Sequence, residues 1–315
     1  MEFLKEEDQE AEKILFTGLD GAGKTSIIMA LKREFSKIAI LSPTRGAQRR
    51  VFGYLGKSIS EWDLGGQKLY RIAYLRNPGK YFDNTEIAIY VIDIQDKDRI
   101  EESINYLKDV INKFKELEIK PPIKIFFHKF DPSLEKSAFN EYSETIIELK
   151  ERINKTTKYK KLLFYNTSIY DLPSLIKAMS EIYLSLYPKS ELIDKTIEEF
   201  ANKIKSEGVV IIDDNSLQIG GFFKNEKVKE ILDSSTPYFL TLNDSFKVAE
   251  KRNSSLMNSE NQVMVKRNNK YFIFKQISLK KDFSPYYLLL VKEQPEYNKE
   301  DIEILSSVLK EILYK

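Results

Sequence analysis

The chain has 315 residues, 42% hydrophobic and 31% charged, enough apolar material for two ordinary domains and too much for a disordered polymer. Its formal net charge of +2 gives no global field to recruit nucleic acid or an anionic membrane, so neither partner is expected. With no cysteine and one histidine, a disulfide scaffold and a thiolate metal site are excluded, a histidine metal centre lacks ligands, and a reducing, cytoplasmic compartment is expected.

No run is apolar and long enough to span a bilayer. Residues 1–12 are charged, lack the basic-then-apolar order of a signal peptide, and read as an N-terminal arm. Residue 2 is Glu2 and the last residues carry no cysteine, so no lipid anchor is expected and any membrane address is left to a partner.

A strand is expected at residues 13–17. Gly18-Leu19-Asp20-Gly21-Ala22-Gly23-Lys24-Thr25 follows it and fits the G-x-x-x-x-G-K-[ST] phosphate-loop pattern, with a helix expected from there to about residue 35. Residues 37–41 read as extended, residues 42–46 as a loop, and residues 51–54 and 58–62 as a hairpin across Gly56-Lys57. After Asp63-Leu64-Gly65-Gly66-Gln67, the continuous apolar run at 87–93 reads as a strand buried on both faces. Further strands are expected at 123–127 and 162–165, and helices at 99–117, 139–153 and 172–186, with Pro188 closing the domain. This alternation predicts a mostly parallel, doubly wound α/β sheet over residues 13–188, with every polar motif at the carboxyl end of a strand.

The second half, residues 191–315, reads α-β-β-α-β-β-β-α and carries neither a phosphate loop nor a carboxylate cluster. It is an α+β binding or assembly domain by pattern. Its helix at 228–248 is expected to break near Thr236-Pro237, and its hairpin to turn at Asn268-Asn269. The apolar Tyr271-Phe272-Ile273-Phe274 suggests a surface used for self-association, unless it is plain core.

The motifs carry specific chemistry. The glycines let the backbone N–H groups of residues 18–26 (Gly18, Asp20, Gly21, Ala22, Gly23, Ser26) wrap a phosphate at a helix N-terminus. Lys24 reaches the outer phosphates and the Thr25 hydroxyl suits Mg²⁺. Asp63 suits the Mg²⁺ shell, the Gly66 N–H a γ-phosphate, and Gln67 an attacking water, while Thr44 is placed to complete the metal shell. Asp131 can accept both the N1–H and N2–H₂ of guanine, which adenine does not offer. The Lys129 stem can lie along the base, and Ser168 opens a loop whose N–H groups can meet the guanine O6. Arg45, Arg49 and Arg50 read as a solvated or partner-facing patch, with Arg45 a candidate internal arginine finger.

In this order, the phosphate loop, Asp63-Leu64-Gly65-Gly66-Gln67, Lys129-Phe130-Asp131 and Thr167-Ser168 resemble the motifs of Ras-superfamily small GTPases. The phosphate loop and Trp62-Asp63-Leu64-Gly65-Gly66-Gln67 are similar to the Arf branch. Three details are similar to the Rag/Gtr GTPases of nutrient signalling: His128 for the usual Asn of Asn-Lys-x-Asp, Ile89-Tyr90-Val91-Ile92-Asp93 ahead of Gln95-Asp96, and Thr167-Ser168-Ile169-Tyr170-Asp171. The resemblance implies a P-loop NTPase G domain followed by a roadblock/longin-like domain. It implies GTP and GDP as substrate and product, with His128 and Ile169 in the guanine site. It further implies activating and exchange factors, and a homodimer or heterodimer through the roadblock domain. Replacing Asn by His128 gives up a side chain that ties the base loop to the phosphate loop. Two functions stay open: a hydrolysing switch, slow without an arginine finger, and a low-turnover nucleotide-bound scaffold.

Overall fold

The computed structural model describes residues 11–133, 136–252, 262–279 and 285–314. Residues 1–10 of the expected N-terminal arm lie outside the described residues, and Glu12 belongs to the first strand. The chain divides into two compact units, Met1–Ala178 and Met179–Lys315.

The first unit runs through β1 (Glu12–Gly18), α1 (Lys24–Leu31), α2 (Phe35–Ile38), β2 (Ala47–Tyr54), β3 (Lys57–Leu64), α3 (Lys68–Arg76), α4 (Pro78–Tyr81) and β4 (Thr85–Asp93). It continues with α5 (Ile100–Glu116), β5 (Ile123–His128), α6 (Lys136–Thr157), β6 (Leu162–Thr167) and α7 (Leu172–Leu184), inside which the division between the units falls. The sheet order is β2-β3-β1-β4-β5-β6, parallel throughout except for β2 against β3. Because β1 pairs with β3 on one side and β4 on the other, the loops after β1 and β4 diverge and leave a crevice at the carboxyl ends of the strands.

β5 is buried at every residue, and β4 at all but Glu86 and its last residue Asp93, as their apolar sequences require under two covered faces. Tyr90, Ile92 and Phe127 pack with Ile104, Leu107, Ile111 and Phe114 of α5, whose three- and four-residue spacing makes one apolar face. Each such fully buried side chain contributes about 2 kcal/mol of transfer free energy.

Three local expectations need correction. α1 stops at Leu31, because Arg33 takes a φ of 59° and turns the chain. Residues 37–41 are not extended: the N–H groups of Lys37, Ile40 and Leu41 donate to the carbonyls of Glu34, Lys37 and Ile38. Ile40 is 80% exposed, so this run meets no sheet edge. The hairpin turns at Leu55-Gly56, one residue early, with both φ angles positive as a tight two-residue turn needs. α3 and α4 are not anticipated by periodicity. α3 turns Leu69 to solvent and buries Arg71 and Tyr74, which inverts the usual apolar-inside pattern.

The second unit contains α8 (Ser190–Lys203), β7 (Gly208–Ile212), β8 (Gln218–Phe223), α9 (Glu226–Arg252), β9 (Gln262–Arg267), β10 (Lys270–Ile277), β11 (Tyr286–Lys292) and α10 (Lys299–Tyr314). Its antiparallel sheet has the order β8-β7-β11-β10-β9. One face sets Val210, Ile212, Leu289 and Val291 against Val228, Leu232 and Leu240 of α9. β9 and β10 turn at Asn268-Asn269, with φ of 50° and 57°, as expected. Phe272, Ile273 and Phe274 are buried core, not an open surface. The expected break at Thr236-Pro237 does not occur, and α9 runs through Pro237. The proline removes one donor, while Thr236 Oγ1 and Thr241 Oγ1 bond the carbonyls of Leu232 (2.6 Å) and Pro237 (3.0 Å), and buried Leu232 and Leu240 pin the helix on either side. Among the described residues no helix is long and apolar enough to cross a membrane.

Candidate functional site

Gly18 closes β1, residues 19–22 form the loop, Gly23 caps α1, and Lys24, Thr25 and Ser26 make its first turn. The loop thus presents its amides at a helix N-terminus, the arrangement that favours an anion. Lys24 is buried and arches back over the loop, donating from Nζ to the carbonyls of Gly18 (3.1 Å) and Leu19 (2.7 Å). Burial lowers its pKa to about 8, against the opposing pull of Asp63 and Asp20. A phosphate on the loop would restore the preference for the charged ammonium.

Thr25, Thr44 and Asp63 come from three separate segments and meet at one point. Thr25 Oγ1 lies 2.7 Å from Thr44 Oγ1 and donates to Asp63 Oδ2 at 2.5 Å, with Thr44 Oγ1 at 3.4 Å from the same oxygen. Burial raises the Asp63 pKa, opposed by the hydrogen bond from Thr25. Asp63 Oδ1 is buried with no hydrogen-bond partner among the described residues. No group of three or more His, Cys, Asp or Glu among the described residues is placed to hold a metal, so this site relies on two hydroxyls and one carboxylate. Such an oxygen set with one orphaned carboxylate oxygen fits Mg²⁺, which takes one or two carboxylates and fills its shell with water and phosphate.

The loop after Asp63 is pressed onto both neighbours. The Gly65 N–H donates to the Gly46 carbonyl at 3.0 Å. A Cβ on Gly66 would come within 2.1 Å of the Asp20 nitrogen, so only glycine permits this approach to the phosphate loop. Gln67 is half-buried and takes extended φ and ψ of −61° and 143° at the start of α3, beside this contact.

At the far end of the crevice, Asp131 Oδ1 accepts from Ser168 Oγ at 2.5 Å and Oδ2 from Gln95 Nε2 at 2.9 Å. Lys129 Nζ pairs with Asp93 Oδ2 at 2.5 Å, while its carbonyl accepts from Gln95 Nε2 at 2.7 Å. Beyond β6, the Ser168 N–H donates to Ser174 Oγ and the Tyr170 N–H to Ser168 Oγ, with Ile169 between them. His128 is buried, with Nδ1 3.0 Å from Thr167 Oγ1, and its ring lies against Gly23 of the phosphate loop. Burial, then the Lys129 charge, lowers its pKa to about 4, so the ring is neutral at physiological pH. Ring packing by His128 thus joins the loop after β5 to the phosphate loop.

The structure brings the phosphate loop, Thr44, Asp63 and Gly66 together, and sets His128, Lys129, Asp131 and Ser168 together beyond them, with Gln67 and Ile169 in the adjoining loops and the arginine patch not among them. Arg49 bonds Ser60 Oγ and lies over Trp62, and Arg50 forms a two-point pair with buried Glu61. These two are tied to the sheet and are not a free solvated patch. Arg45 is exposed. Sequence reasoning missed Arg71, Gln95, Arg99 and Glu102. The signal for the last two was a charged pair three residues apart, opening a helix just after a site strand.

Comparison with known proteins identifies the family of the chain. The model of the Gtr1/RagA G protein conserved region matches residues 13–234. ADP-ribosylation factor-like protein 3 of Chlamydomonas reinhardtii is 40% identical over 128 residues, 41% of this chain and 67% of that protein. ADP-ribosylation factor F of Dictyostelium discoideum is 32% identical over 119 residues, 38% of this chain and 60% of that protein. The solved structure of the Arl6 BBS3 small GTPase of Trypanosoma brucei, with a bound nucleotide analogue, gives a TM-score of 0.41 at 19% identity, covering 56% of this chain and 96% of that one. The match to the conserved region takes in the phosphate loop, Asp63–Gln67, the loop of His128 to Asp131 and the start of the second unit, and the chain belongs to the Gtr1/RagA family of Ras-superfamily small GTPases.

Proposed function

We propose that the chain is a Mg²⁺-dependent switch that binds GTP, hydrolyses it slowly to GDP and phosphate, and signals through the loops of Thr44 and Gly66. The observation that carries this is the convergence of Thr25, Thr44 and Asp63 within hydrogen-bonding distance, beside a phosphate loop and a base-reading carboxylate. In this reading Thr25, Thr44 and Asp63 hold Mg²⁺, which would neutralise phosphate charge. The amides of residues 18–26 and Lys24 hold the phosphates, and Asp20 contributes its N–H because its side chain is paired with Arg99. Asp131 reads guanine, Lys129 flanks it, His128 supports the phosphate loop from below, and the Ile169 N–H meets O6. Gly66 contacts the γ-phosphate and Gln67 orients the water. Loss of the γ-phosphate would free the Thr44 and Gly66 loops.

In the same reading residues 13–188 are the G domain and residues 191–315 a roadblock-type assembly domain that pairs with a copy or a related chain. Its element order supports this, as do Ile304 and Val308, which stand exposed on α10. Activating and exchange factors would set its turnover, and a partner any membrane address.

The Gln67→Leu protein tests the chemistry. Its single-turnover GTP hydrolysis is expected to fall by about tenfold or more with GTP affinity retained. Hydrolysis at the parent rate would remove Gln67 from this role.

A further inference from the structure

Four charged residues, three of them outside the motifs, form a closed path between the phosphate loop and the loop of Gly66 and Gln67. Buried Arg71 donates from Nε to the Gly66 carbonyl at 2.8 Å and pairs through its guanidinium with Glu102. Its guanidinium also lies 5.0 Å from the centre of the Tyr106 ring. Glu102, in the first turn of α5, accepts a second bond from Arg99 Nε at 3.1 Å. Arg99 in turn reaches the Asp20 carboxylate at 2.7 Å and the Asp20 carbonyl at 3.4 Å. Since the Gly66 backbone rests on that of Asp20, the path returns to its start. Burial alone would raise the Asp20 and Glu102 carboxyls, but hydrogen bonds from Arg99, and for Glu102 from Arg71 as well, hold both below the usual range.

We propose that Arg71, Glu102 and Arg99 are positioning residues that clasp the Gly66–Gln67 loop onto the phosphate loop and so set the hydrolysis rate without touching the nucleotide. The inference rests on the role of Gln67 proposed above. The carbonyl gripped by Arg71 belongs to the peptide plane between Gly66 and Gln67, so that bond fixes where the Gln67 side chain starts. The grip is ionic and shallow at its centre, with the Arg99 side chain 34% and the Glu102 side chain 41% exposed. Salt therefore weakens it, which it does not do to apolar packing.

The test uses Glu102→Ala in the full chain, since Glu102 is on the exposed side of α5. Single-turnover GTP hydrolysis is expected to fall about tenfold, the worth of one or two charge-assisted hydrogen bonds. GDP affinity should stay within about twofold, as for loss of an interaction made only on the way to the transition state. Raising ionic strength should slow the parent and leave Glu102→Ala unchanged. Arg99→Gln should match the loss, and the double variant should add little to it, because both act in one network. Hydrolysis by Glu102→Ala at the parent rate overturns the clasp. So does a parallel fall of GDP affinity and hydrolysis, which would mark a general structural role. A defective Gln67→Leu beside a fully active Glu102→Ala rejects the clasp alone, whereas a fully active Gln67→Leu rejects the role on which it rests.

Discussion

Asp131→Asn is expected to lower GDP affinity by about a thousandfold or more and to move the preference to xanthosine diphosphate. The Asp131 carboxylate is held in one plane by Ser168 Oγ on one oxygen and Gln95 Nε2 on the other, and each oxygen keeps a lone pair for the base. Guanine offers two adjacent donors, N1–H and the N2 amine, and a carboxylate accepts both. A carboxamide offers one acceptor and one donor, so the guanine amine would face an N–H group and go unpaired on burial. Xanthine carries a carbonyl where guanine carries the amine, and the carboxamide matches it. Competition binding with the two diphosphates reads the change directly. An unaltered GDP preference would remove Asp131 from base recognition.

The second large effect is expected from Gly23→Ala, which should lower GDP affinity by about a hundredfold, the outcome of a few kcal/mol of local strain. Gly23 has a φ of 95°, which a residue with a Cβ adopts only under strain, and the added Cβ would lie 2.5 Å from His128 Cδ2 and 2.8 Å from Nε2. The ring has little room to retreat, because it is buried and its Nδ1 lies 3.0 Å from Thr167 Oγ1. Pushing the ring moves Lys129 and the base loop, while pushing the loop moves the phosphate site. Adding His128→Ala should restore part of the affinity by removing the clash, and not all of it, because the backbone strain remains. If Gly23→Ala binds GDP like the parent, His128 does not couple the two loops.

Much of this was legible in the sequence for a physical reason. A buried parallel strand must be continuously apolar, so β4 and β5 announce themselves, and residues at their carboxyl ends must face the crevice. Asp131 could therefore be placed from sequence alone, while the glycine loop and Asp63 were legible as motifs. The Asn268-Asn269 turn was placed correctly, because asparagine tolerates the positive φ that a two-residue turn needs. Illegible were α3, whose buried face includes an arginine, and α2, which buries no residue and leaves Phe35 exposed. Pro237 misled because a proline costs a helix one donor, and packing on either side outweighed that loss. Arg71, Arg99 and Glu102 stayed hidden because each is an ordinary charged residue until folding brings Asp20 and Gly66 within their reach.

The central claim is that this crevice hydrolyses GTP. Its most direct test loads the purified full chain with GTP and follows phosphate release in a single turnover, with Mg²⁺ and with a chelator, beside an identical trial with ATP. The account predicts Mg²⁺-dependent release from GTP at a rate on the order of 10⁻⁴ per second without an activating partner, and no stable loading with ATP. GTP that stays intact on the protein for a day in Mg²⁺, or ATP bound and hydrolysed as readily as GTP, would contradict it.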